Sequence, residues 1–550
     1  MDTGALIRTQ VAIIGAGPSG VLLANILGNY GVETVVIDRE TEIVEYPRAV
    51  GMDDESLRSL QSIDLAEDQL ADTIQNVPLQ FFDRTGRCLA DIRPTTREFG
   101  WARRNIFLQQ NLEKVLRRGL IRFPVARPLL GHEAVALTQT ETSCTVRLRG
   151  PDQQSVTVTA DYIVGADGGR SSVREFLQIP LEGRTEPRKW VVIDCDNDPV
   201  DSASTELHGE SDRPYVCVHL PHGYRRWEFM LFPGEHDDTM LGDDSIRALL
   251  ARHVADPSAL NIVRARVYTH HARVARQFGI GRVFLVGDAA HLMPPWAGQG
   301  LNTGIRDVTN LGWKLAGAVQ GRFGTRLLDS YETERKPHAA AMVSMSATLG
   351  RLLCPTNRVQ AALRDAVLRA LGLVPSVRRW VLEMKFKPIP HYRRGALVAG
   401  TEGSSAAVVG RMMVQPSVRV DDGSTVKLDD ALGDWLAMVG WDCDPAEHLT
   451  EGQVADFLAM GGTFFKLVES CEAGPRRATS FAETLVLEDI DGVLRPWFND
   501  RHIDVVILRP DRYVAAAATQ AALSTTVDAL LAALDVTRAH TLHPPEGRVS

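Results

Sequence analysis

A glycine-rich turn near the start of the chain has the residues needed to hold phosphates. The sequence GAGPSG places Gly15, Gly17 and Gly20 directly after an apolar run and at the start of a helical pattern. Gly15 permits a tight turn, Gly17 lets the backbone approach a pyrophosphate, and Gly20 lets the helix pack closely on the strand. The helix N-terminus adds N–H groups and the positive end of its dipole. Asp38 ends the next apolar run, where a carboxylate can bind a ribose. This pattern predicts a dinucleotide site without saying which dinucleotide binds.

A second glycine-rich segment occurs much later, in RVFLVGDAAHLMPPWAGQGLNTGIRD. An apolar run leads there to Gly287 and Asp288, and an aspartate at the carboxyl end of a strand can bind a sugar or ribityl hydroxyl. Gly298, Gly300 and Gly304 follow, and they would allow close approach of the backbone to a flat cofactor. Taken alone, these residues predict a ligand-binding loop but do not identify the ligand.

Both segments require α/β elements to position them. An apolar run over 11–14, a helical pattern from Gly20 to about Tyr30 and a second apolar run ending at Asp38 predict a βαβ unit. Strand-like pieces separated by Pro, Gly and Asp between Trp190 and Tyr268 predict an inserted antiparallel sheet. An apolar strand over 283–286 and a long helix over 301–319 then return the chain to the α/β pattern. The strands and final helix after about residue 400 predict a separate C-terminal α/β domain.

Composition argues against several classes of function. The 550 residues are too many for one ordinary domain. The net charge of -9 and the pI near 6.0 argue against nucleic acid, because phosphate binding needs clustered Lys and Arg. Seven cysteines occur without a CxxC pair, so neither zinc nor structural disulfides are indicated. The sequence predicts neither a secretion signal nor an apolar membrane span, and we expect a cytoplasmic protein without a metal site.

Three segments together resemble the signatures of the class A flavoprotein monooxygenases, the group of para-hydroxybenzoate and phenol hydroxylases. They are GAGPSG with Asp38, GADGGRSSVR at 165–174 and GDAAHLMPPWAGQGLN at 287–302. The resemblance implies a Rossmann-like FAD-binding domain over 1–185 and 280–345, an inserted antiparallel-sheet substrate domain over 186–279, and a helical connector over 346–400. NADH or NADPH is the implied electron donor, and the resemblance does not distinguish between them.

The same resemblance implies a set of cofactor-binding positions. The loop from Pro295 to Asn302 would face the flavin ring, with its backbone N–H groups stabilising negative charge on the reduced flavin. Asp167, Gly168 and Arg174 match a signature that the family uses for both FAD and the nicotinamide donor. The positions expected to bind FAD are Gly15, Gly17, Pro18, Ser19, Gly20, Asp38, Arg39, Arg48, Gln109, Asp167, Gly168, Gly287, Asp288, Pro295, Gly298, Gly300, Leu301 and Asn302.

A more specific likeness extends over essentially the whole chain. Segments such as YPRAVGMDDESLRSLQS, DRTGRCLADI, EFGWARRN, RVYTHHARVA and LEMKFKPIP are similar to the bacterial 3-(3-hydroxyphenyl)propionate hydroxylases, which also act on 3-hydroxycinnamate. This likeness implies O₂-dependent ortho-hydroxylation of a phenolic acid through a C4a-hydroperoxyflavin. It also implies a thioredoxin-like C-terminal domain over 401–550 and is compatible with a homodimer. Cys443 in that domain has no partner cysteine in a CxxC motif, so we expect a structural rather than a redox-active tail.

The inserted sheet is expected to cover the flavin and to contact the substrate. Tyr268 and His270 are the candidate catalytic residues, since a tyrosine or a histidine can receive a phenol proton. Arginine suits a carboxylate because of its planar fork. The other candidate substrate contacts are Tyr215, His219, Arg225, Arg226 and Trp296. For Arg306 and Asp307, cofactor contact and an ordinary structural role are equally compatible with the sequence.

Several alternatives stay open at this point. The substrate could be another phenol, a resorcinol-like acid or a polyketide. The chain could also be a flavin oxidoreductase that inserts no oxygen, or a protein that keeps FAD as a structural element. The mass of the product and the reduction of the flavin by a donor would distinguish these alternatives.

Overall fold

The computed structural model describes residues 5–46, 48–398, 407–469 and 483–536. The chain divides into two compact units. The first unit comprises Met1–Arg97, Trp101–Thr309 and Lys336–Ile389, and the second comprises Glu98–Gly100, Asn310–Arg335 and Pro390–Ser550. Within the described residues, no helix is long and apolar enough to cross a membrane.

The first unit carries the sequence motifs. Its strands are β1 (Ala5–Ile14), β2 (Thr34–Asp38), β3 (Gly51–Met52), β4 (Ile74–Gln75), β5 (Leu79–Phe82), β6 (Cys88–Ile92), β7 (Asn105–Ile106), β8 (Ala126–Leu130), β9 (Glu133–Gln139), β10 (Cys144–Arg149), β11 (Ser155–Gly165), β12 (Leu181–Asp196), β13 (Thr205–His208), β14 (Tyr215–His219), β15 (Arg225–Met230), β16 (Asn261–Ala275), β17 (Gly279–Ile280), β18 (Val283–Leu285) and β19 (His291–Leu292). The helices from the start of the chain to Leu382 are α1 (Pro18–Asn29), α2 (Asp54–Gln61), α3 (Ala66–Leu70), α4 (Gln109–Leu120), α5 (Ser172–Phe176), α6 (Asp237–Met240), α7 (Asp243–Leu250), α8 (Gly300–Val319), α9 (Ser330–Leu353), α10 (Arg358–Gly372) and α11 (Pro375–Leu382).

The predicted βαβ unit is present and lies in the middle of one sheet. The strand order is β17-β18-β11-β1-β2-β8, with β10 and β9 attached beside β11. Strand β1 pairs in parallel with both β11 and β2, and its last four residues are buried. Parallel strands covered on both faces read as continuous apolar runs, which is why this part of the prediction was secure. Strands β10 and β11 form an antiparallel hairpin, and β11 continues without a break to Gly165.

The predicted antiparallel sheet is also present, but it contains more strands than the segment between Trp190 and Tyr268 supplies. Its order is β19-β16-β12-β15-β14-β13-β5-β6. Strands β5 and β6, from residues 79–92, join it because β13 pairs in parallel with β5. The sequence did not predict this pairing, since it joins segments more than 100 residues apart with no local signal. A short third sheet of order β3-β7-β4 lies in the same unit.

The second unit has its own mixed sheet and core. Its strands are β20 (Ser417–Arg419), β21 (Thr425–Lys427), β22 (Ala437–Trp441), β23 (Thr463–Val468), β24 (Thr484–Asp489), β25 (Val505–Leu508) and β26 (Val514–Ala518). Its remaining helices are α12 (Leu428–Leu432), α13 (Glu451–Ala459), α14 (Leu494–Asn499) and α15 (Leu523–Ala533). The sheet order is β21-β20-β24-β23-β22-β25-β26, in which β22, β23 and β24 are parallel and β25 and β26 form an antiparallel pair. Val439, Phe465 and Leu508 are among its fully covered core residues.

Candidate active site

The three glycines of the first motif have different surroundings, and each matches its expected role. Gly15 has a φ of +111°, and a Cβ there would lie 2.3 Å from the Ala166 carbonyl oxygen. A Cβ on Gly20 would lie 1.9 Å from the Gly15 carbonyl oxygen, so only glycine allows this approach of α1 to β1. A Cβ on Gly17 would meet nothing within 4 Å. The space beside Gly17 is therefore open to a ligand, while Gly15 and Gly20 pack against the protein.

Helix α1 points its N-terminus into that open space. Gly17 is the N-cap and Pro18 the first helical residue, and no side chain caps the first turn. The N–H groups of the first turn, together with the helix dipole, favour an anion at this position. Asp38 shapes the turn, since its Oδ2 accepts a hydrogen bond of 2.6 Å from the Ala16 N–H and its Oδ1 accepts one of 2.8 Å from the Glu40 N–H.

A single cleft of about 2520 Å³ connects this turn with the inserted sheet. All but one of the residues expected to bind FAD line the cleft, and the exception is Gly20, which is buried in the contact with β1. The structure therefore brings together segments that are more than 280 positions apart in the chain. Those lining residues are Gly15, Gly17, Pro18, Ser19, Asp38, Arg39, Arg48, Gln109, Asp167, Gly168, Gly287, Asp288, Pro295, Gly298, Gly300, Leu301 and Asn302.

The loop before α8 is held by one amide side chain. Asn302 donates to the carbonyl oxygens of Gly51 and Gly298, at 3.1 and 2.7 Å. Its Oδ1 accepts from the Asp53 N–H at 3.0 Å and from the Ser56 hydroxyl at 2.7 Å. Gly298 has a φ of +60°, which a residue with a Cβ rarely adopts. The loop and strand β3 therefore form one hydrogen-bonded unit along the cleft.

Asp288 lies at the end of the strand that the second motif predicted. Asp288 is exposed to the cleft, and protein packs around the other sides of its carboxyl group. This surrounding protein desolvates the carboxyl group and raises the pKa of Asp288, although the charges of His291 and Arg48 oppose the effect. A carboxyl group in this environment gains from a hydroxyl donor supplied by a ligand.

The GADGG segment and Gln109 are held by hydrogen bonds that the sequence did not predict. The Asp167 Oδ2 accepts from the Ser172 hydroxyl at 2.9 Å and from the Val173 N–H at 3.1 Å. Arg174 donates to the carbonyl oxygens of Ala289 and Gly169, each at 3.0 Å, and so ties this segment to the strand end at Asp288. Gln109 Oε1 accepts from the Ala49 N–H at 2.8 Å.

Arg306 and Asp307, for which the sequence left two roles open, both have structural partners and do not line the cleft. Asp307 Oδ2 accepts from the Gly287 N–H at 3.1 Å and bonds the His291 Nε2 at 2.6 Å. Arg306 forms a bidentate pair with Glu55, at 2.7 and 3.0 Å, and also bonds Asp53. Lys387 bonds Asp53 at 2.7 Å, so two acidic and two basic side chains share one buried site behind Asn302.

The wall of the inserted sheet places both candidate catalytic residues in the cleft. Tyr268 and His270 lie on the same face of β16, and Arg264 donates to the Tyr268 hydroxyl at 2.6 Å. His270 is 8% exposed and stacks on Trp190, with Trp296 of the loop at its edge. Burial, assisted by the charge of His271, lowers the pKa of His270 to about 4. His270 is therefore a neutral imidazole at neutral pH and can accept a hydrogen bond.

Three of the expected substrate contacts do not reach the cleft, and the prediction is corrected for them. Strand alternation puts Tyr215 and Arg225 on the opposite face of the sheet, while their neighbours Val216 and Arg226 line the cleft. Tyr215 packs there against the apolar side chains below the sheet, and Arg225 donates to the carbonyl oxygens of Val200 and Ser202. His219 lies on the same far face as Tyr215 and is absent from the cleft.

Comparison with known proteins agrees with this geometry. The sequence profile described as "FAD binding domain" matches residues 8–346, and the profile "HcaD C-terminal domain" matches 410–533. The 3-(3-hydroxy-phenyl)propionate/3-hydroxycinnamic acid hydroxylase 2 of Burkholderia vietnamiensis is 50% identical over 512 residues, which are 92% of this chain and 93% of that protein. The chain belongs to the FAD-dependent aromatic hydroxylases.

Further relatives extend this result to the whole chain. The 3-(3-hydroxy-phenyl)propionate/3-hydroxycinnamic acid hydroxylase of Klebsiella pneumoniae is 44% identical over 537 residues, 98% of this chain and 97% of that protein. The flavin-dependent monooxygenase PieE, solved in complex with FAD and substrate, has a TM-score of 0.78 with 22% identity over 96% of this chain and 99% of that chain. That likeness supports the fold alone.

The residues of this flavoprotein fit the cofactor of its family. The open space at Gly17 and the first turn of α1 suit a pyrophosphate, and Asp288 offers an acceptor for a ribityl hydroxyl. Sequence reasoning missed Asp53, Glu55 and Lys387, which form an ionic site next to Asn302. The only signal for Asp53 and Glu55 was a charged DDE run at the start of a helix, which is more typical of an exposed helix N-terminus, and Lys387 had no signal.

Proposed function

We propose that this hydroxylase uses a nicotinamide donor and O₂ to convert 3-(3-hydroxyphenyl)propionate, and 3-hydroxycinnamate, into the 2,3-dihydroxy products. The observation that carries the proposal is the 50% identity, over nearly the full length, with a relative described as acting on these two acids. The cleft supports it independently, because an aromatic and apolar wall with a few polar groups suits a small phenol.

The FAD residues keep the roles that the sequence predicted, as part of this proposal. The first turn of α1 and Gly17 would hold the pyrophosphate, and Asp288 would bind the ribityl chain. When bound, FAD accepts a hydride from the donor and activates O₂, which is chemistry that the cofactor itself supplies. The loop from Pro295 to Asn302 would present backbone N–H groups to the flavin ring and help to exclude water from it.

His270 and Tyr268 are proposed to act on the phenol. The neutral imidazole of His270 can accept a hydrogen bond from the phenol hydroxyl, which orients the phenol and increases the electron density of its ring. Arg264 donates to the oxygen of Tyr268, which leaves the tyrosine proton available for a hydrogen bond to the substrate. Trp190 and Trp296 fix the imidazole from its face and its edge. This arrangement orients the ring without any nucleophile.

The experiment that tests the function measures oxygen insertion. Protein loaded with FAD should oxidise NADH or NADPH faster when 3-(3-hydroxyphenyl)propionate is added, and the product should be heavier by one oxygen atom. A protein that holds no FAD after reconstitution would refute the proposal. Nicotinamide oxidation without an oxygenated product would instead favour a flavin oxidoreductase that inserts no oxygen.

A larger phenol is a second candidate, because one part of the cleft wall is apolar and extensive. Leu368, Leu371, Val377 and Trp380, from α10 and α11, line it in addition to the sheet wall. Phenolic acids and polycyclic phenols compared for kcat/KM under the same conditions would separate the two candidates. The small acid should be preferred if the main proposal is correct.

We also infer that the C-terminal part is thioredoxin-like and structural. The parallel pair β22 and β23 with α13 between them, followed by the antiparallel pair β25 and β26 and the final α15, supports this inference. Cys443 is buried and, among the described residues, forms no disulfide. A homodimer remains part of the proposal, and sedimentation velocity on the FAD-loaded protein tests it.

A further inference from the structure

Three arginines surround Tyr46 in the cleft, and none of them has been given a direct contact with the substrate above. The guanidinium carbons of Arg264, Arg266 and Arg48 lie 3.4, 5.5 and 5.7 Å from the centre of the Tyr46 ring. We call these four residues the Tyr46 cluster, and all of them line the cleft. Arg264 and Arg266 alternate with Tyr268 along β16, so the three side chains share one face of the sheet.

Two of the three arginines in this cluster have no ion-pair partner. Neither Arg264 nor Arg266 forms an ion pair with any carboxylate in the described parts of the chain. Asp194 is opposite Arg264 in the sheet register, but both of its oxygens are bound by Arg226, at 2.7 and 3.1 Å. Arg264 Nε and Nη1 are buried and have no hydrogen-bond acceptor among the described residues.

The pKa of Tyr46 is also affected by the positive charges around it. Burial raises the pKa of Tyr46, but a hydrogen bond from Arg48 and the charges of Arg48, Arg264 and Arg266 outweigh it and lower the pKa below its usual value. Arginines such as Arg264 and Arg266, which have no carboxylate in an ion pair with them, favour the entry of an anion. Arginine pairs best with planar, bidentate acceptors such as a carboxylate.

A carboxyl group lies on the same wall of the cleft, two strands away from Arg266. Glu228 lines the cleft on β15 and, among the described residues, makes no hydrogen bond or ion pair through its carboxyl group. In the sheet register, Val192 separates it from Arg266. Burial raises the pKa of Glu228, with the charge of Arg226 opposing this effect. A ligand carboxylate would avoid Glu228 and turn toward Arg266.

We propose that Arg264 and Arg266 bind the carboxylate of the substrate and so orient its ring toward Tyr268 and His270. This inference rests on the proposed function and replaces Arg225, which faces away from the cleft. Arg266 and Tyr268 are two residues apart on one strand face, about 7 Å. That spacing is comparable with a phenol ring carrying a short acid chain, so one molecule can reach both groups.

The test compares two ligands that differ only in charge. Binding of 3-(3-hydroxyphenyl)propionate and of its uncharged amide, 3-(3-hydroxyphenyl)propanamide, is measured by calorimetry with FAD-loaded protein. We expect the wild type to prefer the acid. Arg266→Gln should raise the dissociation constant of the acid about tenfold or more, because a charge-assisted hydrogen bond is lost. The dissociation constant of the amide should change by less than about twofold. Arg266→Lys should keep part of the preference for the acid.

Controls separate this role from other anion sites. Arg273→Gln alters the same strand outside the cleft and should leave both dissociation constants unchanged. Equal weakening of acid and amide by Arg266→Gln, or no weakening, would overturn the inference. The inference would also be overturned if Arg266→Gln changed only the affinity for FAD, or only the NADH or NADPH concentration that half-saturates flavin reduction. The cluster would then bind a phosphate of the cofactor or of the donor. A wild type that hydroxylates the acid but binds the amide equally well refutes the inference and leaves the proposed function standing. A wild type that hydroxylates no phenolic acid refutes both.

Discussion

Replacing Arg306 by methionine removes the main cation of a buried ionic site. Arg306, Asp53 and Glu55 have side chains that are 3%, 5% and 4% exposed. Their charges are stable there only because they are paired, and the arginine holds the pKa of Glu55 at about 2 and that of Asp53 lower, against the effect of burial. Methionine keeps most of the volume of the side chain and none of its charge.

The loss of stability in Arg306→Met can be estimated from the charges that remain in the site. After the substitution, two carboxylates share only Lys387, and breaking a buried ion pair on one side costs about 3–5 kcal/mol. The sign of the pH dependence also follows. Because the pKa values of Glu55 and Asp53 are lower in the folded than in the unfolded protein, both carboxylates stabilise the wild type at pH values above the unfolded pKa near 4. This stabilisation is lost as the pH falls toward 2. In Arg306→Met the pKa values of both carboxyls rise, so the loss of stability should be larger at pH 8 than at pH 5.

Urea unfolding of the FAD-loaded protein, followed by flavin and tryptophan fluorescence, measures this difference. The matched control is Arg326→Met, because Arg326 pairs with Asp535 while its side chain is 81% exposed. Such an exposed pair contributes little to stability. If Arg306→Met and Arg326→Met lose the same small amount, or if the loss is greatest at low pH, then the ionic site does not stabilise the fold in the way described.

Three other changes test separate features. Gly17→Ala should leave the unfolding temperature nearly unchanged but weaken FAD at least tenfold in a fluorescence titration, whereas Gly20→Ala should destabilise the protein because its Cβ would lie 1.9 Å from a carbonyl oxygen. Burial raises the pKa of Asp54 to about 7, so this carboxyl lowers the unfolding free energy increasingly as the pH rises from 5 to 8, and Asp54→Asn should gain stability relative to the wild type between urea titrations at these two pH values. Cys443→Ala should leave hydroxylation unchanged with and without dithiothreitol, because burial raises the pKa of this thiol to about 11 and keeps it unreactive.

The sequence was informative where the chemistry depends on local spacing. The glycines and the apolar runs around Gly15 and Asp288 predicted the βαβ unit, the strand end and the cleft between them. Strand alternation places only every second residue of the inserted sheet on the cleft side, and the sequence did not show which ones. Arg225 and Arg226 were therefore both predicted as substrate contacts although only Arg226 lines the cleft, and Tyr215 was predicted although Val216 lines it.

Other features depend on non-local pairing and had no signal in the sequence. Strand β5 joins the inserted sheet through a parallel pairing with β13. The run of Asp53, Asp54 and Glu55 has the appearance of an exposed helix start, yet Arg306 and Lys387, supplied from distant segments, make it a buried site. Charges of this kind are placed by tertiary structure, and a single sequence does not show their partners.

The hydrogen bonds of Asn302 have a consequence for how the flavin is recognised. Both amide hydrogens and the amide oxygen of Asn302 are already committed to the protein. The side chain therefore has no donor left for a cofactor, and its role is to hold the loop against strand β3. A bound flavin ring would therefore contact the peptide backbone of the loop from Pro295 to Asn302. Substitutions near this loop would change that surface mainly by breaking the hydrogen bonds of Asn302.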